Sequence, residues 1–324
     1  MSENRLLYLA EADVRAAGLP MPELIHALET AFRDLGEGRA QAPAKIGVQP
    51  SAGSFFHAMP ALWPGASVAA VKWVGSFPGN RSRGQPSISA LLLLSDPDDG
   101  RPLAVMDGRW LTVRRTAACS ALSARFLARP KARSLGVLGC GLQARAHVEA
   151  LRRVLPLEQV KAFDRHPERA AAFAAEVTRE HGLQASAHAS VQEVVEGMEV
   201  VLTAGAIASL ANPPIGAGWL APGAFGCSID YASPWSVGAL RELDLVCTDD
   251  RAQLEAARKS GPVARLPPVH ADLAELVTGR RVGRSTDAQR TMACNLGLAL
   301  ADVAAASVVV RRAREAGLGT LLPL

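Results

Sequence analysis

The sequence predicts an α/β chain: a doubly wound domain built on a parallel sheet, joined to an α+β domain. Three observations carry this. From about residue 119 onward, short apolar stretches alternate with amphipathic ones. Before that point, one helical pattern is followed by short strand-like runs separated by Pro and Gly. Between the two rhythms, a glycine-rich turn at 134–144 joins a strand to a helix.

Residues 22–35 predict an amphipathic helix, because Leu24, Leu28, Ala31, Phe32 and Leu35 recur at helical spacing and Gly36 and Gly38 end the pattern. Runs at 44–48, 54–59, 67–74 and 87–95 predict strands, and turns at 97–100 and 106–108 bracket another at 102–105. These predict a mostly antiparallel sheet. Strands are then expected at 134–138, 159–163, 200–204, 224–228 and 245–248. Helices are expected between them at 143–154, 168–180, 190–196 and 250–259. Such alternation implies right-handed crossovers and a parallel sheet. An Ala-rich stretch at 289–316 predicts a final helix that leaves this domain and packs back on the N-terminal part.

The 324 residues are 49% hydrophobic and 20% charged, the balance of a globular protein with a sizeable core. The net charge of +4 comes from scattered arginines, so nucleic acid is not an expected partner. Five cysteines (Cys119, Cys140, Cys227, Cys247 and Cys294) form no CxxC pair. That argues against disulfides and a metal site and predicts a cytoplasmic protein. The N-terminal residues carry charges where a signal peptide is apolar, and no apolar run is long enough to span a bilayer.

The stretch SLGVLGCGLQA at 134–144 places Gly139-Cys140-Gly141-Leu142-Gln143-Ala144 between a strand and a helix. In such a turn Gly139 permits the tight bend, and Gly141 clears the backbone for a pyrophosphate. Ala144 lets helix and strand close up, and the helix N-terminus faces the phosphates. The next strand ends in Asp164, which suits the ribose hydroxyls of NAD. Arg165 and His166 follow it and suit a 2′-phosphate, so NAD is favoured and NADP stays open.

Several segments resemble the ornithine cyclodeaminase/μ-crystallin family: VKWVGSFPGN at 71–80, DGRPLAVMDGRWLTVRRTAACSALSARFLA at 99–128, LGVLGCGLQARAH at 135–147 and GRRVGRSTD at 279–287. The resemblance implies a Rossmann NAD(P)-binding domain at 119–299 and a substrate-binding and dimerisation domain formed by 1–118 with 300–324. It also implies a homodimer through the N-terminal sheets and an active site between the domains. Expected activities are NAD(P)-dependent reduction or dehydrogenation of a small imino or amino acid, redox-neutral cyclodeamination, or non-catalytic cofactor and ligand binding. Carried over by position, Lys72 and Arg115 would hold the substrate carboxylate, with Lys45 assisting. Lys72 and Asp230 would serve the chemistry. Cofactor contacts are expected from Arg115, Thr116, Gly139, Gly141, Leu142, Gln143, Asp164, Arg165, Thr203, Ala204, Ser228 and Asn295. An arginine fork and a lysine point charge suit a carboxylate, and a carboxylate near cations suits proton transfer.

For Asp230 a turn role stands beside the catalytic one, and for Lys45 a solvated role stands beside the site role. His57 sits where cyclodeaminases carry an acidic residue for a distal amine. This disfavours ornithine or lysine. Beside Lys45, Lys72 and Arg115 it suggests a cationic pocket for a substrate with a second anionic group, such as iminosuccinate or aspartate, with a packed or surface histidine equally open.

Overall fold

The computed structural model of the protein describes residues 5–208, 210–259 and 262–324. The chain forms two compact units: Met1–Arg115 with Leu298–Leu324, and Thr116–Gly297.

The first unit is built on a seven-stranded sheet. In spatial order its strands are β15 (Thr320–Pro323), β1 (Arg5–Leu9), β6 (Pro102–Asp107), β5 (Ile88–Ser95), β4 (Val68–Ser76), β3 (Ser54–Trp63) and β2 (Ile46–Ser51). The meander from β2 to β6 is antiparallel, and β1 joins β6 in parallel. Helices α1 (Glu11–Ala17), α2 (Met21–Gly36) and α10 (Ala299–Glu315) belong to this unit. The boundary between Arg115 and Thr116 falls inside helix α3 (Arg109–Leu127). Helix α2 forms because Leu24, Ile25, Leu28, Ala31 and Phe32 make one apolar stripe, and all five are buried. Helix α10 packs against α2, β3 and β4.

Register gives the sheet two distinct faces. On the inner face Met59, Lys72, Leu92 and Met106 lie opposite one another across β3, β4, β5 and β6. All four are buried, and Lys72 is the one charged member of the row. On the outer face one row runs Ile46, Ala58, Trp73, Leu91, and another runs Pro60, Val71, Leu93, Val105, Tyr8. Ile46 is 71% exposed, Leu91 51%, Trp73 44% and Tyr8 41%, so this apolar face stands open on the single chain.

The second unit holds an eight-stranded sheet in which every pairing is parallel. Its order is β13 (Ala271–Asp272), β12 (Leu245–Thr248), β14 (Thr291–Cys294), β11 (Phe225–Ser228), β10 (Val200–Thr203), β7 (Ser134–Leu138), β8 (Gln159–Phe163) and β9 (Gln184–Ala187). The crossovers carry α4 (Leu142–Leu151), α5 (Pro167–His181), α6 (Val191–Val195), α7 (Val237–Arg241), α8 (Arg251–Ala257) and α9 (Leu273–Val277). All five residues of β7 are buried, as a central parallel strand requires.

One expected element is corrected. The predicted helix at 289–316 is interrupted, because 291–294 is strand β14, between β11 and β12. Met292, Ala293 and Cys294 are fully or almost fully buried, and a four-residue apolar run carries no period that separates strand from helix. Gly297 then turns with φ 90, a left-handed value that suits glycine, and α10 begins at Ala299.

Candidate functional sites

The nucleotide motif stands at the point where the strand order of the second sheet reverses, between β7 and β10. In doubly wound sheets the crevice beyond the strand ends at that point is where ligands bind. Gly139 leaves β7 with φ 90, and a Cβ there would lie 2.9 Å from the Ala204 carbonyl oxygen, so the two strand ends approach too closely for a side chain. Gly141 differs: a Cβ on it would meet nothing within 4 Å. It is the N-cap of α4 and no side chain caps that helix, so the first-turn N–H groups are left for an anion. Leu142 follows, 73% exposed.

Asp164 directly follows β8 at this crevice. Its Oδ2 accepts from the Cys140 N–H at 2.9 Å and its Oδ1 from the His166 N–H at 3.0 Å. A carboxylate has further lone pairs, so this clamp fixes Asp164 and leaves capacity for hydroxyl donors. Arg165 is exposed and donates from Nε to His166. Gln143 Oε1 and Asn295 Oδ1 are both buried without a hydrogen-bond partner. Asn295 donates from Nδ2 to Ser123 Oγ at 3.2 Å. Its strand exit is held by Asp249, which accepts from the N–H groups of Leu296 and Gly297. Asp249 is a supporting residue that sequence reasoning missed. Its signal was an acidic pair, Asp249-Asp250, directly after an apolar strand.

Asp230 lies 1% exposed beside the ends of β10 and β11. Its Oδ1 accepts from Thr203 Oγ1 at 2.8 Å and Ser228 Oγ at 2.9 Å, and its Oδ2 accepts from the Gly205 N–H at 3.2 Å. Burial raises its carboxyl pKa, while these donors pull the other way. Next to it Tyr231 and Ala232 both take left-handed backbone angles, φ 61 and 56, a strained turn held by the Ala232 N–H donating to Ser228 Oγ at 2.8 Å. The Thr203 and Ser228 hydroxyls are thus committed inside the protein. Thr116 and Ala204 are partly buried.

In the first unit, three side chains far apart in sequence meet. Lys72 Nζ on β4 and Arg115 Nε on α3 each donate to Asp302 Oδ1 at 2.9 Å. The side chains are 1%, 8% and 1% exposed, respectively. Burial, opposed by Asp302 and assisted by the positive charges of Arg115 and Lys45, brings the Lys72 pKa down to about 8. Asp302, in the first turn of α10, was not expected from sequence. Its signal was a single acid inside the apolar run 296–310, where a buried charge requires a partner.

Lys45 also influences His57. Burial and the Lys45 charge together lower the His57 pKa to about 4, so its imidazole is neutral at pH 7. Of the two expectations for His57, this favours the packed histidine over a contributor to a cationic pocket. The ring stacks on Phe55 with centroids 4.1 Å apart.

The fold and these two sites define a doubly wound α/β chain with a dinucleotide-type cradle in one unit and a buried cation pair in the other. The chain belongs to the ornithine cyclodeaminase/mu-crystallin family, whose profile matches residues 7–317. It is 34% identical to the alanine dehydrogenase of Archaeoglobus fulgidus over 326 residues, covering 97% of each chain. Among solved structures it resembles an archaeal alanine dehydrogenase dimer with bound NAD, at 31% identity and TM-score 0.88, covering 99% of each chain. It also resembles the Thermococcus litoralis Delta(1)-pyrroline-2-carboxylate reductase in complex with NADH and L-proline. That match has 28% identity and TM-score 0.87, covering 97% of this chain and 99% of the other.

Proposed function

We propose that this chain is an NAD-dependent reductase or dehydrogenase of a small imino or amino acid. The observation that carries the reading is the burial of Lys72 and Arg115 against a single carboxylate. Two cations to one anion leave one positive charge in excess, and burying an excess charge costs several kcal/mol unless an anion matches it. A substrate carboxylate is that anion. The relatives named above act on, or are complexed with, amino or imino acids.

The second unit suits the cofactor on grounds of its own. The open Gly141, the uncapped start of α4 and the unpartnered oxygens of Gln143 and Asn295 form a set of polar groups that await a ligand. Gly139, Gly141 and Leu142 would hold the pyrophosphate, and Asp164 a ribose hydroxyl. Gln143, Asn295 and the backbone at Thr203, Ala204 and Ser228 would line the remainder. Arg115 and Thr116 are assigned to the phosphate as well. Asp164, fixed by the Cys140 N–H, favours NAD, and Arg165 is the residue that would serve NADP. When bound, the cofactor supplies a hydride donor or acceptor for the substrate α-carbon.

The chain's own residues bind, orient and exchange protons. Arg115 and Lys72 grip the carboxylate, and Lys45 adds positive charge near them. Lys72 and Asp230 are the groups assigned to exchange the amine proton. Electrostatics favour Lys72, because its pKa of about 8 stands close to neutral pH, whereas Asp230 is held by two donors on Oδ1 and one on Oδ2. His57, neutral and partly buried, borders the substrate as a shape-setting residue. We assign the units the roles expected for them, substrate binding and dimerisation for the first and NAD binding for the second. The apolar outer rows of the first sheet support a second copy of the chain as partner. The five buried, free cysteines support a reducing compartment, the cytoplasm.

The test is oxidation of NADH and NADPH by purified protein. The panel is pyruvate, glyoxylate and oxaloacetate with ammonia or methylamine, plus cyclic ketimines. The reading expects rapid NADH oxidation with at least one substrate, slower oxidation of NADPH, and no ammonia release in the absence of net redox change. Ammonia release at constant NADH would replace it with cyclodeamination. Tight NADH binding with neither signal would replace it with a binding role.

A further inference from the structure

The carboxylate of Asp302 satisfies only part of what surrounds it. A single oxygen, Oδ1, accepts from both Lys72 Nζ and Arg115 Nε, each at 2.9 Å. The other oxygen, Oδ2, is buried and has no hydrogen-bond partner. A pair evolved for stability alone would use both oxygens, ideally with a bidentate arginine. Here Arg115 spends only Nε on Asp302, which leaves its two terminal nitrogens, the end-on bidentate face, for a second carboxylate. Lys72 likewise spends one of three N–H donors. Asp302 itself is fixed by the start of α10, a helix buried along almost its whole length.

We propose that Asp302 is a positioning residue that joins Lys72 and Arg115 into one pre-formed clamp, with a net charge of one left for a monoanionic substrate carboxylate. This rests on the function proposed above and deepens it. Without Asp302 the two cations would repel each other across a buried site, and each would spread over rotamers that a substrate must then collect. With it, the substrate meets donors already aimed. Asp302 also keeps Lys72 charged. The groups acting on Lys72 are Asp302 from α10, Arg115 from α3 and Lys45 ahead of β2, with neutral His57 on β3 at a neighbouring inner-face position. Asp302 alone among them is negative.

The experiment compares wild type, Asp302→Asn and Asp302→Glu. Binding of pyruvate, L-alanine and L-proline is followed by calorimetry with and without NADH, and KM and kcat are measured from pH 6 to 10 on whichever substrate turns over. In Asp302→Asn the account expects carboxylate affinity to fall at least tenfold and KM to rise with it, with kcat reduced less. The alkaline limb of kcat/KM should move down by a pH unit or more, because the anion that keeps Lys72 protonated is gone. Asp302→Glu, which retains the charge and is the variant to rely on if Asp302→Asn does not fold, should keep the limb in place. Its longer side chain misplaces the clamp, so KM should still rise several-fold. NADH affinity should fall less than carboxylate affinity, because Arg115 is the one clamp residue also assigned to the cofactor. Unchanged KM and an unmoved limb in both variants would overturn the role of Asp302 while leaving the enzymatic reading intact. A wild-type chain that binds none of the three carboxylates would overturn the clamp itself.

Discussion

The two units build their sites in contrasting ways. The nucleotide cradle is local and made mostly of backbone: Gly139 to Gln143 are consecutive, and the surrounding strand ends add carbonyls, N–H groups and one acid. The clamp is non-local and made entirely of side chains: residues 72, 115 and 302 reach it from β4, α3 and α10. A backbone site tolerates a change of side chain wherever space exists and fails where it does not. A side-chain site depends on each charge, because removal of one changes the net charge of a low-dielectric interior.

The largest effect that separates the two should come from Lys72→Met. It removes a charge without changing bulk much, and it leaves Arg115 and Asp302 as a matched pair. We expect kcat/KM to fall about 10²- to 10³-fold, as for loss of a buried charge-assisted contact of about 3–4 kcal/mol. NADH affinity should stay within twofold, because Lys72 is assigned to the substrate carboxylate and not to the cofactor. A comparable loss of NADH affinity would break the division of labour.

A smaller effect sharpens the same comparison inside the cradle. Gly141→Ala adds a methyl to open space, so its melting temperature should match wild type. NADH affinity should fall about tenfold, because the methyl would stand in the open space proposed for the pyrophosphate. Gly139→Ala forces a left-handed φ on a non-glycine residue and a contact of 2.9 Å with Ala204, which costs about 1–3 kcal/mol. Its melting temperature should drop by several degrees. Thermal melts and NADH fluorescence titrations of the two variants separate a residue required by the fold from one required by the ligand.

The same contrast explains what could be read from the sequence. Strands β7, β8 and β12 fall at their expected limits, and the glycine motif lies where the strand order reverses, because a strand, a turn and a helix are encoded in consecutive residues. Lys72 was legible as a lone charge in an apolar strand. Its counter-ion Asp302 was not, because the two are 230 residues apart and pairing across that distance leaves no periodic trace. Strand β14 was hidden for a different reason. Met and Ala favour helices, and only the place between β11 and β12 makes Thr291–Cys294 a strand. The choice between a packed and a charged His57 was not legible, since neither its burial nor the approach of Lys45 is visible in the sequence. The edge strand β15, four exposed residues paired to β1, lacks the alternation by which a half-buried strand is recognised.

The most direct measurement of the central claim is the pH dependence of substrate KM beside that of NADH affinity, on wild-type protein between pH 6.5 and 9.5. Lys72 is lowered from 10.5 to about 8, so its ammonium is half lost at that pH, nearly complete well below it and lost progressively above it. Carboxylate binding that depends on this cation should be constant on the acid side and should weaken as pH rises, with KM approaching a tenfold increase per unit above about 8. NADH affinity should remain flat over the same range. A KM that stays level through pH 9.5 would contradict the account, because a cation that titrates near 8 would then not be the group that holds the substrate.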